Sequence, residues 1–236
     1  MQAPAADLDG ETVVRSALAV AAPLLAELDH VLGAGHGELS RVARGELDVP
    51  GCAPLAIDVL EFCSVAHART DGGFDAFVEG ADGRRHLDPG FPGVALAVDR
   101  MASLLHRTTG LSLVVRCGSV AAVRTTPQDP SPFTVRLPGM TDGDTDDAAF
   151  VLSDGGAAAA GMRGTAPGGL VAVAARSLPW AAVYAAVLAS EGRAGLRRLR
   201  PIPRVQAVVR TPSGAMVVLR DGRTSSVPGC THRSAS

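Results

Sequence analysis

The chain contains no lysine: all 22 of its cationic side chains are arginine. That removes one common catalytic base, the Schiff-base former and a point-charge phosphate ligand. Cysteine is scarce, with Cys52, Cys63, Cys117 and Cys230 the only four. None forms a CxxC pair or stands at zinc spacing with a histidine, so they read as small buried hydrophobes or free thiols, not as a disulfide framework. Excess charge of either sign is missing too. The net charge is −2 and the pI about 6.3, which gives no ground for a nucleic-acid partner. No apolar run of eighteen residues is free of charge, so no membrane span is expected. The opening residues MQAPAADLDGE have no positive n-region and no apolar h-region. A secretion signal is therefore not expected, and a cytoplasmic location is the default. The six histidines show no i, i+4 pairing for a metal, and neither GxSxG nor a P-loop occurs.

What is present is enough apolar material for a core: 236 residues, 47% hydrophobic. Helical periodicity runs over 11–33, with Val14, Leu18, Ala21, Leu25, Leu28 and Leu32 on one stripe and Pro23 placed to kink or split it. The stretch 34–51 reads as a polar loop. A second helix is predicted over 53–69, with Leu55, Val59, Phe62 and Ala66 inward and Asp71-Gly72-Gly73 as its stop. Residues 74–93 read as loop, with a tight turn at Asp82-Gly83. A third helix is predicted over 94–108, its Asp99, Arg100, Ser103 and Arg107 facing solvent.

The period then shifts toward 2. Short strands are predicted at 111–116, 119–125, 132–137, 148–153, 169–175, 204–211 and 214–220. The acidic stretch Thr141 to Asp147 reads as a hairpin loop. Residues 179–190 form a helix that is apolar on every side, which marks it as buried. Helices, then strands, then a buried helix and a closing hairpin make an α+β order. One domain over 11–220 is expected, with 1–10 and 221–236 as flexible ends.

Four segments, in order, resemble the FAD:protein FMN transferase family, the ApbE-like flavin transferases. They are GELSRVARGELDV at 37–49 followed by TDGGFDAF at 70–77, HLDPGFPGVALAVDRMASLL at 86–105, LSLVVRCGSV at 111–120, and GGAAAAGM at 155–162 with LPWAAVYAAVLA at 178–189. The most specific pieces are GGFDAF and the AVDR helix. The resemblance implies a single ApbE-like, T-fold-like domain of mixed or antiparallel sheets with packed helices. It also implies a reaction in which FAD is cleaved at its pyrophosphate with Mg²⁺ and FMN is attached to a Thr or Ser of a flavoprotein. By motif position, Phe74, Asp75, Ala76, Asp88, Gly118 and Gly161 would then touch FAD.

The same resemblance exposes departures. Magnesium wants oxygen ligands in octahedral array. Where the family offers Asp and Thr four apart on one helix, this chain has Ala182 and Ala186, with Ala185 at the intervening carboxylate. Phe91 and Val94 stand at further polar positions, and Ala159-Ala160 replace a Thr-Ser pair. The seven residues 162–168 are too few for the family's His-containing loop. Flavin binding without magnesium, and lost or reduced FMN transfer, is the expectation: a pseudoenzyme with a flavin nucleotide and a flavoprotein or other protein as partners. Two alternatives stand beside it. One is an active divergent transferase using Asp75 or Asp88 for the metal. The other is a non-catalytic structural or interaction protein.

Overall fold

In the computed structural model the described residues are 10–33, 35–79, 85–137, 148–162 and 169–227. The first helix, α1 (Gly10–Leu32), runs unbroken through Pro23. Its apolar stripe is only partly used: Leu28 and Val31 are buried, whereas Leu18 and Leu25 are exposed. The polar stretch expected to be loop holds a short helix, α2 (Glu38–Ala43), and a 3-10 turn at Val49–Gly51. Glu38 explains why. Its carboxylate is buried and accepts the Ala53 N–H at 2.7 Å and a bond from His30 Nε2 at 3.1 Å. A buried carboxylate needs such partners.

Helix α3 (Pro54–Arg69) follows, and strands β1 (Phe77–Glu79) and β2 (Arg85–Leu87) pair antiparallel. These strands lie where a loop was expected, and the Asp82-Gly83 turn falls outside the described residues. Helix α4 (Gly90–Thr109) starts four residues earlier than its apolar stripe suggests. Next come β3 (Leu113–Cys117), β4 (Val120–Arg124), β5 (Phe133–Leu137), β6 (Ala148–Leu152), β7 (Gly155–Gly161) and β8 (Leu170–Ala175). The Thr141–Asp147 loop lies outside the described residues. Helix α5 (Leu178–Glu191), a 3-10 turn, α6 (Leu196–Leu199), β9 (Gln206–Arg210), β10 (Met216–Arg220) and β11 (Arg223–Val227) complete the order. The expected frayed tail is thus corrected at its start: 223–227 form an edge strand paired to β10.

One antiparallel sheet of seven strands, β11-β10-β9-β8-β7-β4-β3, carries the molecule, with β1-β2 and β5-β6 as separate hairpins. Strand alternation sorts its side chains into two cores. Val120, Ala122, Ala158, Val171 and Val173 face α4 and α5. Ala121, Val123, Ala157, Ala159 and Ala172 face the β5-β6 hairpin. Both faces are covered, so β4, β7 and β8 read as continuous apolar runs rather than alternating ones. A third core joins α1, α3 and α4 to the far side of α5 through Val183 and Val187. Helix α5 therefore lies between sheet and helices, as its all-round apolar surface demands.

Two glycines let α5 sit down. A Cβ at Gly156 would lie 2.4 Å from the Leu178 Cβ, and one at Gly155, whose φ is 112°, would meet the Ala175 carbonyl at 2.4 Å. The first turn of α5 rests directly on the bare backbone of β7.

Candidate functional site

The turn after α3 is built by Thr70. Its buried hydroxyl donates to the Ala66 carbonyl at 2.8 Å and accepts the Phe74 N–H at 2.9 Å. Asp71 and Gly72 take left-handed φ values of 48° and 74° to reverse the chain. His67 Nδ1 donates to the Phe74 carbonyl at 2.9 Å, so both backbone groups of Phe74 are held. Arg198 closes the turn from outside. It reaches the Thr70 carbonyl at 3.2 Å, Glu191 at 3.0 Å and Asp71 at 3.7 Å.

This turn delivers Phe74 and Asp75 to a cleft of about 550 Å³. Asp88, Gly90, Phe91 and Pro92 come from the start of α4, Phe77 and Val78 from β1, and Ala186 and Ser190 from the last turns of α5. The two ends of the site are pinned by one backbone bond, Asp88 N–H to the Ala76 carbonyl at 2.7 Å. Asp75 Oδ1 accepts the Phe77 N–H at 2.8 Å, a turn-capping bond that fixes the carboxylate at the cleft wall. Asp88 is exposed and sits over the first turn of α4, since a Cβ at Gly90 would lie 3.1 Å from its Oδ1.

Of the sequence-selected residues, Phe74, Asp75 and Asp88 converge on this cleft. Ala76 is buried and lines an adjoining cavity of about 320 Å³ with Cys63, His67, Asp75 and Phe77. Burial, with Asp88 nearby, pushes the Cys63 thiol up to about 11. Gly118 and Gly161 are elsewhere. Gly118, at φ 54°, turns β3 into β4 and faces open space. Gly161 ends β7, paired with Leu170.

The alanines at positions where the resemblance expects polar groups separate. Ala182 and Ala185 are fully buried among the core residues between sheet and α4, and only Ala186 opens on the cleft. Ala159 faces the β5-β6 hairpin while Ala160 packs on the α5 side. Among the described residues no three His, Cys, Asp or Glu side chains gather as a metal-binding group. Phe77, Phe91 and Ser190 were not selected from the sequence as ligand residues. The only signal for Phe77 was its place at the end of the TDGGFDAF run.

Solved structures with the same architecture include flavin transferases. The flavin transferase ApbE from Vibrio cholerae superposes with a TM-score of 0.61 at 15% identity, covering 98% of this chain and 92% of that one. The chain has the ApbE fold. The Pseudomonas stutzeri flavinyl transferase ApbE, in its apo form, gives 0.62 at 16% identity, covering 94% of this chain and 87% of that one. The ApbE protein from Thermotoga maritima gives 0.63 at 12% identity, with 90% of each chain covered. No family model matches the sequence, and no curated relative does. Among the described residues no helix is long and apolar enough to cross a membrane.

Proposed function

We propose that this chain is an ApbE-fold protein that binds a flavin in the Phe74–Asp88 cleft and has lost, or retains little of, the magnesium-dependent transfer of FMN. One observation carries the reading: Phe74, Asp75 and Asp88, picked out by motif, meet Phe91 and Ala186, two positions of lost polarity, in a single cleft. Three phenylalanines there offer flat apolar surface to a ring system. Its volume lies in the range of small-molecule sites.

The residues of the cleft do not fit magnesium. Of the three alanines at 182, 185 and 186 only the methyl of Ala186 opens on the cleft, and Asp75 already spends one oxygen on the Phe77 N–H. A hard dication needs about six oxygens, and a divalent ion is what neutralises a pyrophosphate as it is cleaved. No step through the metal is derived for this chain. Its own residues bind and orient: the Thr70 turn positions Phe74, and the Asp88 N–H bond to the Ala76 carbonyl joins the two segments that carry Asp75 and Asp88.

The test has two arms. FAD and FMN are titrated while the melting temperature is followed, and FMN transfer to a Thr-containing acceptor peptide is assayed with Mg²⁺. A melting shift with a flavin and no flavinylation is expected. Release of AMP together with flavinylated peptide would instead support the divergent active transferase. No shift with any flavin would support the non-catalytic interaction protein.

A further inference from the structure

We propose that this chain carries a second ligand site, a cleft at the opposite end of α5. It takes a small dipolar molecule of the amino-acid or short-peptide class, with a free carboxylate and a free ammonium.

Strand register builds the cleft. Gly156 pairs with Ala175, Ala174 with Gln206, and Ala207 with Leu219. The start of β7, the end of β8, the start of β9 and the end of β10 therefore lie at one end of the sheet. Three short turns leave from that end: Ser153-Asp154 between β6 and β7, Arg176-Ser177 between β8 and α5, and Asp221-Gly222 between β10 and β11. Residues from all three, with Arg204 just ahead of β9 and Gln206 within it, line a cleft of about 620 Å³. That is a usual size for a small-molecule site. Helix α5 begins at this end and finishes at the Phe74–Asp88 cleft, and its 14 residues set its two ends about 20 Å apart. The second cleft is thus independent of the flavin reading.

Four charged side chains line it, Arg176 and Arg204 together with Asp154 and Asp221. Asp154 is met at 3.7 Å by Arg124, from outside the lining. Among the described residues, Arg176, Arg204 and Asp221 hold no ion pair and no side-chain hydrogen bond. The half-buried Gln206 amide is likewise unspent. Opposite charges therefore share one cleft without closing on each other.

A pure anion would meet two carboxylates there, and a pure cation two guanidiniums. A ligand with one charge of each sign satisfies both. An arginine fork matches a carboxylate in shape and charge. An ammonium donates to an aspartate, and the Gln206 amide offers a donor and an acceptor to a peptide group.

The backbone adds a second observation. Among the described residues three non-glycines take a left-handed φ, and two of them, Arg204 at 59° and Asp221 at 51°, line this cleft. Asp221 has a local reason, since Asp-Gly suits a two-residue hairpin turn. Arg204 is not in such a hairpin. It carries a Cβ where glycine would fit freely, in a turn stiffened by Pro201 and Pro203. A cation kept at a glycine position is what a site needing a placed guanidinium would show.

The experiment is calorimetric titration of the full chain at low salt near pH 7. The probes are alanyl-leucine, N-acetyl-alanyl-leucine, alanyl-leucine amide and inorganic phosphate. The free dipeptide is expected to bind about tenfold more tightly than either blocked form, the effect of one charge-assisted hydrogen bond. Two variants locate the charges. Glycine suits the φ of Arg204 and asparagine suits the hairpin at Asp221, so Arg204→Gly and Asp221→Asn should melt as the parent chain does. Arg204→Gly should shrink the preference for a free carboxylate, and Asp221→Asn the preference for a free ammonium.

Equal binding of free and blocked dipeptides overturns the proposal. So does tighter binding of phosphate, no binding by any probe, or a preference unchanged in both variants. A clear drop in melting temperature in Arg204→Gly would place that arginine in the fold and remove it from the site. None of these outcomes touches flavin binding at the other cleft.

Discussion

The hydroxyl of Thr70 holds the N–H of Phe74 at 2.9 Å, four residues on, and both residues are buried. A turn that must present an aromatic side chain to a cleft is thereby anchored at Thr70, beside the His67 bond to the Phe74 carbonyl. Thr70→Val keeps the shape and removes the acceptor, leaving the Phe74 N–H buried and unmet. A loss of about 1–3 kcal/mol is expected. Chemical denaturation measures it, and a change below a few tenths of a kcal/mol would show that the turn holds without this bond.

Gly156 is the second point of leverage. A methyl there meets Leu178 Cβ at 2.4 Å and its Cα at 2.8 Å. Neither atom belongs to a flexible side-chain end, so α5 must lift from β7. Gly156→Ala should destabilise by about 1–3 kcal/mol and should weaken flavin binding, because Ala186 and Ser190 would move with the helix. An unchanged melting temperature would mean that α5 is not seated as described.

Arg124 ties helix to sheet. Its guanidinium donates to Asp99 at 2.9 Å and Ser103 at 3.1 Å on α4, and to the carbonyls of Val123 and Gly155. Arg124 is only 16% exposed and Asp99 24%. The solvated helix face expected from the sequence is thus corrected: Asp99 and Ser103 point at β4, while Arg100 bonds Asp58 on α3. Asp99→Ala should cost about 2 kcal/mol, as loss of a charged hydrogen bond in a mostly buried site does. Arg100→Ala, on an exposed pair, should cost well under 1 kcal/mol. Equal losses from the two would contradict the distinction.

Cys63 gives a pH signature. Burial raises its thiol from 9.0 to about 11. Below pH 9 the thiol is neutral in both folded and unfolded chains, so nothing is lost there. Between about 9 and 11 the unfolded chain sheds the proton first, and stability falls as pH rises. Cys63→Ala should flatten that part of the slope relative to the parent chain. In the native protein at pH 8, alkylation read peptide by peptide should mark exposed Cys117 and spare buried Cys63. Fast labelling of Cys63 would show that its cavity opens.

Local periodicity was enough for much of the fold. Of the predicted stripes, Leu55, Val59 and Ala66 on α3 and Ala97, Val98 and Met101 on α4 are buried, while Phe62, Leu104 and Leu105 are half-buried and Val94 is exposed. The all-apolar α5 could only be a buried helix, since no face of it tolerates water. Elements whose stability comes from long-range partners were not legible. Glu38 marks α2 as structured only because His30 and the Ala53 N–H meet it in space. Strand β11 is polar, RTSSV, and is held by its pairing to β10 rather than by an apolar face.

The site divides in the same way. The resemblance marked Phe74, Asp75 and Asp88, and residue identity gives methyl groups at 182, 185 and 186, where that resemblance expects oxygens. Only the tertiary structure decided that Ala182 and Ala185 are sealed in the core while Ala186 opens on a cleft. It alone brought Phe77 and Phe91 to the same walls and left Gly118 and Gly161 outside. The physical reason is that chemistry travels with the residue. Convergence depends instead on turns and seats, the Thr70 bond and the bare backbone of Gly156, which act between segments far apart in the chain.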